Sequence, residues 1–161
     1  MLLGTLFTGE IAKSALVAYI HYLGIILCFG SLLFERLTLK VDLNRNQTIS
    51  MVVADVIYGL AGVAILVTGI LRVKYFGQGG DFYTENPIFW IKIIVFALVG
   101  SLSLYPTITY VLWAIPLSKG NLPQVKENLV SRLRLIINIE LVGFASIPFL
   151  ATLMARGVGL G

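Results

Sequence analysis

Four stretches that are each long enough to cross a lipid bilayer, and nearly free of charge, constrain this chain more than any other feature. Residues 14–34 contain no Asp, Glu, Lys or Arg; residues 51–71 contain only Asp55, residues 88–115 only Lys92, and residues 135–155 only Glu140. A hydrocarbon core about 30 Å thick needs about 20 mostly apolar residues per helical crossing. Each stretch meets that length. Formal charge makes up 12% of the 161 residues, against about 25% in an ordinary soluble domain, and what charge there is gathers between the stretches. A soluble domain, a disordered chain and a nucleic-acid binder are excluded.

In lipid, backbone amides are satisfied only within helices or closed barrels, and the alternation that marks a barrel strand is missing. The expected fold is all-α, an antiparallel bundle of four transmembrane helices in a single domain. The first stretch is too long for a cleaved signal peptide, and no small-x-small site follows Phe34. The lone cysteine, Cys28, lies mid-span and reads as a small packing residue. Among the linkers, DLNRNQ has turn chemistry. In FGQGGDFYTENP, glycines precede Asn86-Pro87, which starts the third helix. Pro116, Gly120 and Pro123 break the chain again, after which Val125, Leu129, Val130 and Leu133 recur at helical spacing. They predict an interfacial helix running into the fourth span, or else a solvated connector.

Basic residues favour one side. Arg36, Lys40, Arg45, Lys119, Lys126, Arg132 and Arg134 flank the first and third linkers, against Lys13, Arg72, Lys74 and Arg156 on the other side. The asymmetry predicts that both termini and the second linker lie outside the cytoplasm. It also explains the net charge of +4.

Small and polar residues should mark the faces that meet, because close backbone approach drives helix association in lipid. Steps of three and four collect Ser14, Val17, His21, Gly24, Cys28, Ser31 and Glu35 in the first span. In the second they collect Asp55, Gly59, Gly62, Leu66 and Gly69; in the third, Lys92, Phe96, Val99, Ser103, Pro106 and Tyr110; in the fourth, Glu140, Gly143 or Phe144, Ile147 and Ala151. Pro106 and Pro148 are expected to kink their helices, and Trp90 and Trp113 to form an aromatic belt.

Each span carries one His, Asp, Lys or Glu: His21, Asp55, Lys92 or Glu140. Such residues inside a membrane usually face the bundle and have partners. At 1.5 Å per residue, His21 and Lys92 lie roughly 10 Å and 7 Å inside one boundary. Tyr19, Tyr22, Trp90 and Arg72 stand at similar depth, so His21, Lys92 and Arg72 form a candidate cofactor site. Asp55 and Glu140 lie near the other boundary with Glu35, Arg36, Asn138, Tyr105, Tyr110 and Arg134, and are expected to pair with Arg36 or Arg134. A proton relay is the alternative. Neutral imidazole can ligate haem iron, bond a quinone or relay protons; the alternative is a buried structural histidine bonded to a carbonyl or to Asp or Ser of another helix. With one histidine in the chain, haem would need a further ligand, a symmetric partner subunit or five-coordination. Lys92 could serve as that ligand only as the neutral amine; the alternative is that its long stem snorkels to the outer interface. No spacing marks a protein-built metal site.

The stretches AYIHYLGIILCFGSLLFERLTL and GILRVKYFGQGGDFYTENPIFWIKIIVFALVGSLSLYPTITY resemble an uncharacterised family of small four-helix bacterial membrane proteins, prominent in cyanobacteria. The segment from His21 to Arg36, and Trp90-Ile91-Lys92, are also distantly similar to J-type protoporphyrinogen oxidases and the copper-resistance protein D superfamily. That second resemblance implies haem b and removal of hydrogens from a porphyrinogen, with the histidine and lysine essential. The chain departs from it in lacking the further histidines, and Tyr105 is followed by Pro106.

Three functions are therefore expected in turn. The first is a redox-linked site for haem, a porphyrin or a quinone at His21 and Lys92, in a bacterial inner or thylakoid membrane. The second is an accessory or assembly subunit, as a homo-oligomer or within a larger membrane complex. The third is proton or ion translocation through Asp55 and Glu140.

Overall fold

The computed structural model describes residues 9–159. Its helices are α1 (Gly9–Thr38), α2 (Arg45–Leu71), α3 (Gly80–Thr84), α4 (Pro87–Ser118) and α5 (Glu127–Ala155), and α2 continues into a π-helical turn at Arg72–Phe76. Among the described residues there is no strand. The four long elements run 29 to 32 residues and are apolar enough to cross a membrane. At 1.5 Å per residue each reaches about 45 Å, the thickness of a bilayer with its headgroups. The four charge-poor stretches all lie within them.

Local chemistry sets the ends. Asn44 caps α2 in a reciprocal box: its side chain accepts from the Gln47 amide at 2.9 Å, and the Gln47 side chain accepts from the Asn44 amide at 3.1 Å. Asn86 caps α4, with Pro87 at the first helical position, where a missing N–H costs nothing. The fully buried Asn86 side chain also donates to the Val158 carbonyl at 3.1 Å, tying the start of α4 to the end of α5. We expect Asn86→Ala to cost about 1–2 kcal/mol, seen as a lower unfolding temperature in detergent.

The bundle is square. α1 packs most extensively on α2 and α4 on α5; α2–α4 and α1–α5 contacts close the ring, and the diagonal helices approach only through side chains. Two glycines allow the close approaches. A methyl group at Gly24 would stand 2.8 Å from Ile65 Cγ1 and 3.2 Å from the Ala61 carbonyl oxygen, and one at Gly143 would stand 2.7 Å from Val99 Cγ2. Cys28, Leu32, Met51, Tyr58, Ile65, Val99, Tyr110, Leu133, Ile137 and Phe144 fill the core around them.

Several expectations change. The buried face of α2 is Met51, Ala54, Asp55, Tyr58, Ala61, Ile65 and Thr68. Gly59 and Leu66 are exposed, and a methyl group at Gly59 or Gly62 would meet nothing within 4 Å. Bulky Tyr58 and Ile65 bury more contact surface than the glycines can offer. α4 runs through Pro116 to Ser118 and ends before Gly120, whose φ of 83° turns the chain. Val130 and Leu133 belong to the first turns of α5 and are buried in the core, not spread on an interface. Trp113 is 5% exposed and packs on Tyr110 with ring centroids 5.2 Å apart, so only Trp90 is left at the surface.

Candidate functional site

The core is polar at both ends and dry at its waist. Gly24, Ala61, Ile65, Val99 and Phe144 form the waist. His21 lies beyond it at one end, called here the histidine end. Glu35, Asp55 and Glu140 lie beyond it at the other, the arginine end.

At the histidine end, His21 of α1 meets Thr68 of α2, with Nδ1 2.9 Å from Thr68 Oγ1. The Thr68 hydroxyl has one hydrogen, and it is directed to the carbonyl oxygen of Ala64 as in other back-bonded helical threonines. Thr68 therefore accepts from His21, which places the imidazole proton on Nδ1. No side-chain hydrogen bond to Nε2 is found among the described residues, and the ring also comes within hydrogen-bond reach of the Ile65 backbone carbonyl, an acceptor. Gly69 leaves room for the ring: a methyl group there would lie 3.5 Å from His21 Cε1. A histidine whose second nitrogen is held by a hydrogen bond is arranged as metal-ligating histidines are.

Two cations stand within electrostatic reach of His21: Arg72 at the start of the π-helical turn and Lys92 on α4. Arg72 lies over the Tyr22 ring at 5.2 Å, and Lys92 over Phe89 at 5.3 Å. Neither pairs with an acid, since the ion pair found among the described residues is Lys13–Glu10. The π-helical turn that ends α2 carries Arg72. Gly77 ends that turn, where a methyl group would overlap the Arg72 carbonyl oxygen and the Tyr83 hydroxyl. Packing among Phe82, Tyr83, Phe89 and Trp90, with Trp90 Nε1 donating to the Thr84 carbonyl at 3.0 Å, holds α3 against the start of α4. The structure thus brings His21, Arg72 and Lys92 to one end of the bundle. Tyr19 is mostly exposed beside them.

At the arginine end, each long helix contributes one group: Glu35 from α1, Asp55 from α2, Tyr110 from α4 and Glu140 from α5. They are 1%, 7%, 0% and 0% exposed. Asp55 accepts from Thr107 Oγ1 at 2.8 Å. Both Glu140 oxygens have no partner, and Glu35 Oε1 and the Tyr110 hydroxyl, side by side in the core, bond to no other group. The expected pairing of these carboxyls with Arg36 and Arg134 is corrected by the structure. Arg36 Nε donates to Asn138 Oδ1 at 2.7 Å, and Arg134 Nη2 donates to the Leu39 carbonyl oxygen at 2.7 Å. Helix geometry explains this: Arg36 follows Glu35 by one position and so cannot share its inward face. Tyr105, expected in this layer, lies 40% exposed on the outer surface of α4.

Thr68 and Thr107, which bond His21 and Asp55, and Tyr58, whose carbonyl accepts from Cys28, were not singled out from the sequence. Asp55, Tyr58, Ala61, Ile65 and Thr68 recur at steps of three and four, a rhythm as good as the glycine seam. Weighting polar over small residues would have found it.

No curated protein and no solved structure is detectably similar to the chain. The match to the family described as predicted membrane protein (DUF2214) covers residues 13–159, so the chain, an integral membrane protein, belongs to that family.

Proposed function

We propose that the histidine end is a redox-linked binding site for a haem-type tetrapyrrole that enters sideways from the lipid. The observation that carries this is His21 held by Thr68 through Nδ1, which leaves Nε2 as an open donor beside two cations without counter-ions. The donor set suits the group. Imidazole Nε2 is an axial ligand for haem iron, while Arg72 and Lys92 are placed to hold its carboxylates by charge-assisted hydrogen bonds. Bound haem supplies one-electron chemistry. The chain's own residues hold and orient it: Thr68 fixes the imidazole plane, and Tyr22 and Phe89 support the two cations. With Lys92 engaged as a cation, His21 would hold the iron alone or together with His21 of a second copy. The excess of basic residues at the arginine end puts that end in the cytoplasm, and so the histidine end outside it.

Titrating the purified protein with haem, followed by Soret absorbance, tests the reading. Saturable binding is expected, with Arg72→Gln and Lys92→Gln each weakening it about tenfold, near the 1.5–3 kcal/mol of a hydrogen bond to a charged group. Absence of a saturable Soret change would refute it.

A further inference from the structure

The carboxyl cluster at the arginine end takes no part in haem binding, and its geometry asks for a separate account. Both oxygens of Glu140 are buried without partners, and Glu35 Oε1 and the Tyr110 hydroxyl, side by side in the core, bond to no other group. An ionised carboxylate without partners in a low-dielectric core is costly, and three neighbouring carboxyls cannot all carry charge. A metal ion does not relieve this, because no group of three or more His, Cys, Asp or Glu side chains among the described residues could hold one. Protons do, since each carboxylic acid gains an O–H to donate to its neighbours.

The surroundings supply a way in. Arg36 and Arg134 stand at the mouth of the cluster, between α1 and α5. Each is bonded to a neutral acceptor, Asn138 Oδ1 or the Leu39 carbonyl, and not to a carboxyl. Arg36 is half-buried and adjoins Glu35 in sequence, while Asn138 lies two residues before Glu140. On the inner side, the apolar side chains of Ala61, Ile65, Val99 and Phe144 lie between the cluster and His21. The titratable and charged groups facing the cluster are Cys28 and Arg36 on α1, Tyr58 on α2, Tyr110 on α4 and Arg134 on α5. Cys28 is turned to the Tyr58 carbonyl at 3.5 Å.

We propose that Glu35, Asp55 and Glu140 with Tyr110 form an internal proton-binding site that loads and unloads at the arginine end, Arg36 leaving Asn138 to meet the carboxylate formed when a proton departs. On unloading, the carboxylic O–H bond breaks and the proton passes to water at that end. The electron pair stays on the carboxylate, and the Arg36 guanidinium balances it. No electron transfer or second reactant is needed.

Infrared spectroscopy of the full chain in lipid nanodiscs, titrated in H2O and D2O, tests this. The carbonyl stretch of neutral carboxylic acids is expected at neutral pH, shifted by D2O and lowered stepwise by Glu35→Gln and Glu140→Gln. Glu127→Gln, at the exposed start of α5, should leave it unchanged. Arg36→Gln should let the band persist to a pH about one unit higher, a tenfold change in proton affinity. Absence of the neutral-acid band, or a band unaffected by both glutamine variants, would overturn the site. A titration unmoved by Arg36→Gln would overturn the exchange at Asn138.

Discussion

Replacing Gly24 with leucine is expected to push α1 away from α2 and to cost the bundle about 3 kcal/mol or more, the upper part of the range for overpacked cores. The reason is local. The space a side chain would need is already occupied by Ile65 Cγ1 and by the Ala61 carbonyl oxygen, and the latter is backbone that cannot rotate away. Gly59→Leu and Gly62→Leu are the matched controls, expected to change stability by under about 0.5 kcal/mol because nothing lies within 4 Å of either site. Unfolding curves in mild detergent will separate the three. Equal damage at Gly24 and Gly59 would mean that α2 presents its glycines to α1, as the sequence suggests, and not the Tyr58–Ile65–Thr68 face.

The second large effect is chemical. His21→Ala should weaken haem binding at least 100-fold, since no other histidine exists to replace the ligand. Thr68→Val keeps the shape but removes the acceptor that fixes the imidazole proton on Nδ1. It should weaken binding about 10- to 100-fold, the usual cost of losing the group that orients a metal ligand. Thr68→Ser restores the hydroxyl and should recover most of the affinity. This graded series separates ligation from general packing, because valine fills the Thr68 site as well as threonine does. Equal binding by all four proteins would remove His21 from the site.

Much of this molecule is written in one-dimensional terms, and the places where it is not have a common cause. Charge-free stretches of bilayer length locate α1, α2, α4 and α5, because lipid leaves the backbone no alternative to a helix. Asn86-Pro87 marks the start of α4 for an equally local reason. Which face of α2 turns inward was not legible. In lipid, polarity no longer separates inside from outside, so two stripes of helical period compete, and the choice rests on shape against Gly24 and Cys28. The same limit applies to the charges. Depth alone grouped His21 with Lys92 and Arg72, and Glu35 with Asp55 and Glu140. The partners of Arg36 and Arg134 depend on side-chain direction, which places Arg36 beside Asn138 while Glu35 faces the core. Thr68 was invisible because its importance comes from a contact 47 residues away, and the sequence around it is otherwise ordinary.

A single histidine in the chain makes the central claim directly measurable. Protein labelled with 15N-histidine and free of any histidine tag gives one imidazole signal pair, which reports which nitrogen carries the proton. With Thr68 as acceptor, the structure predicts a neutral ring protonated at Nδ1, with a bare Nε2 whose resonance changes when haem is added. A ring protonated at Nε2, or one whose Nε2 signal is indifferent to haem, would contradict the account of the histidine end.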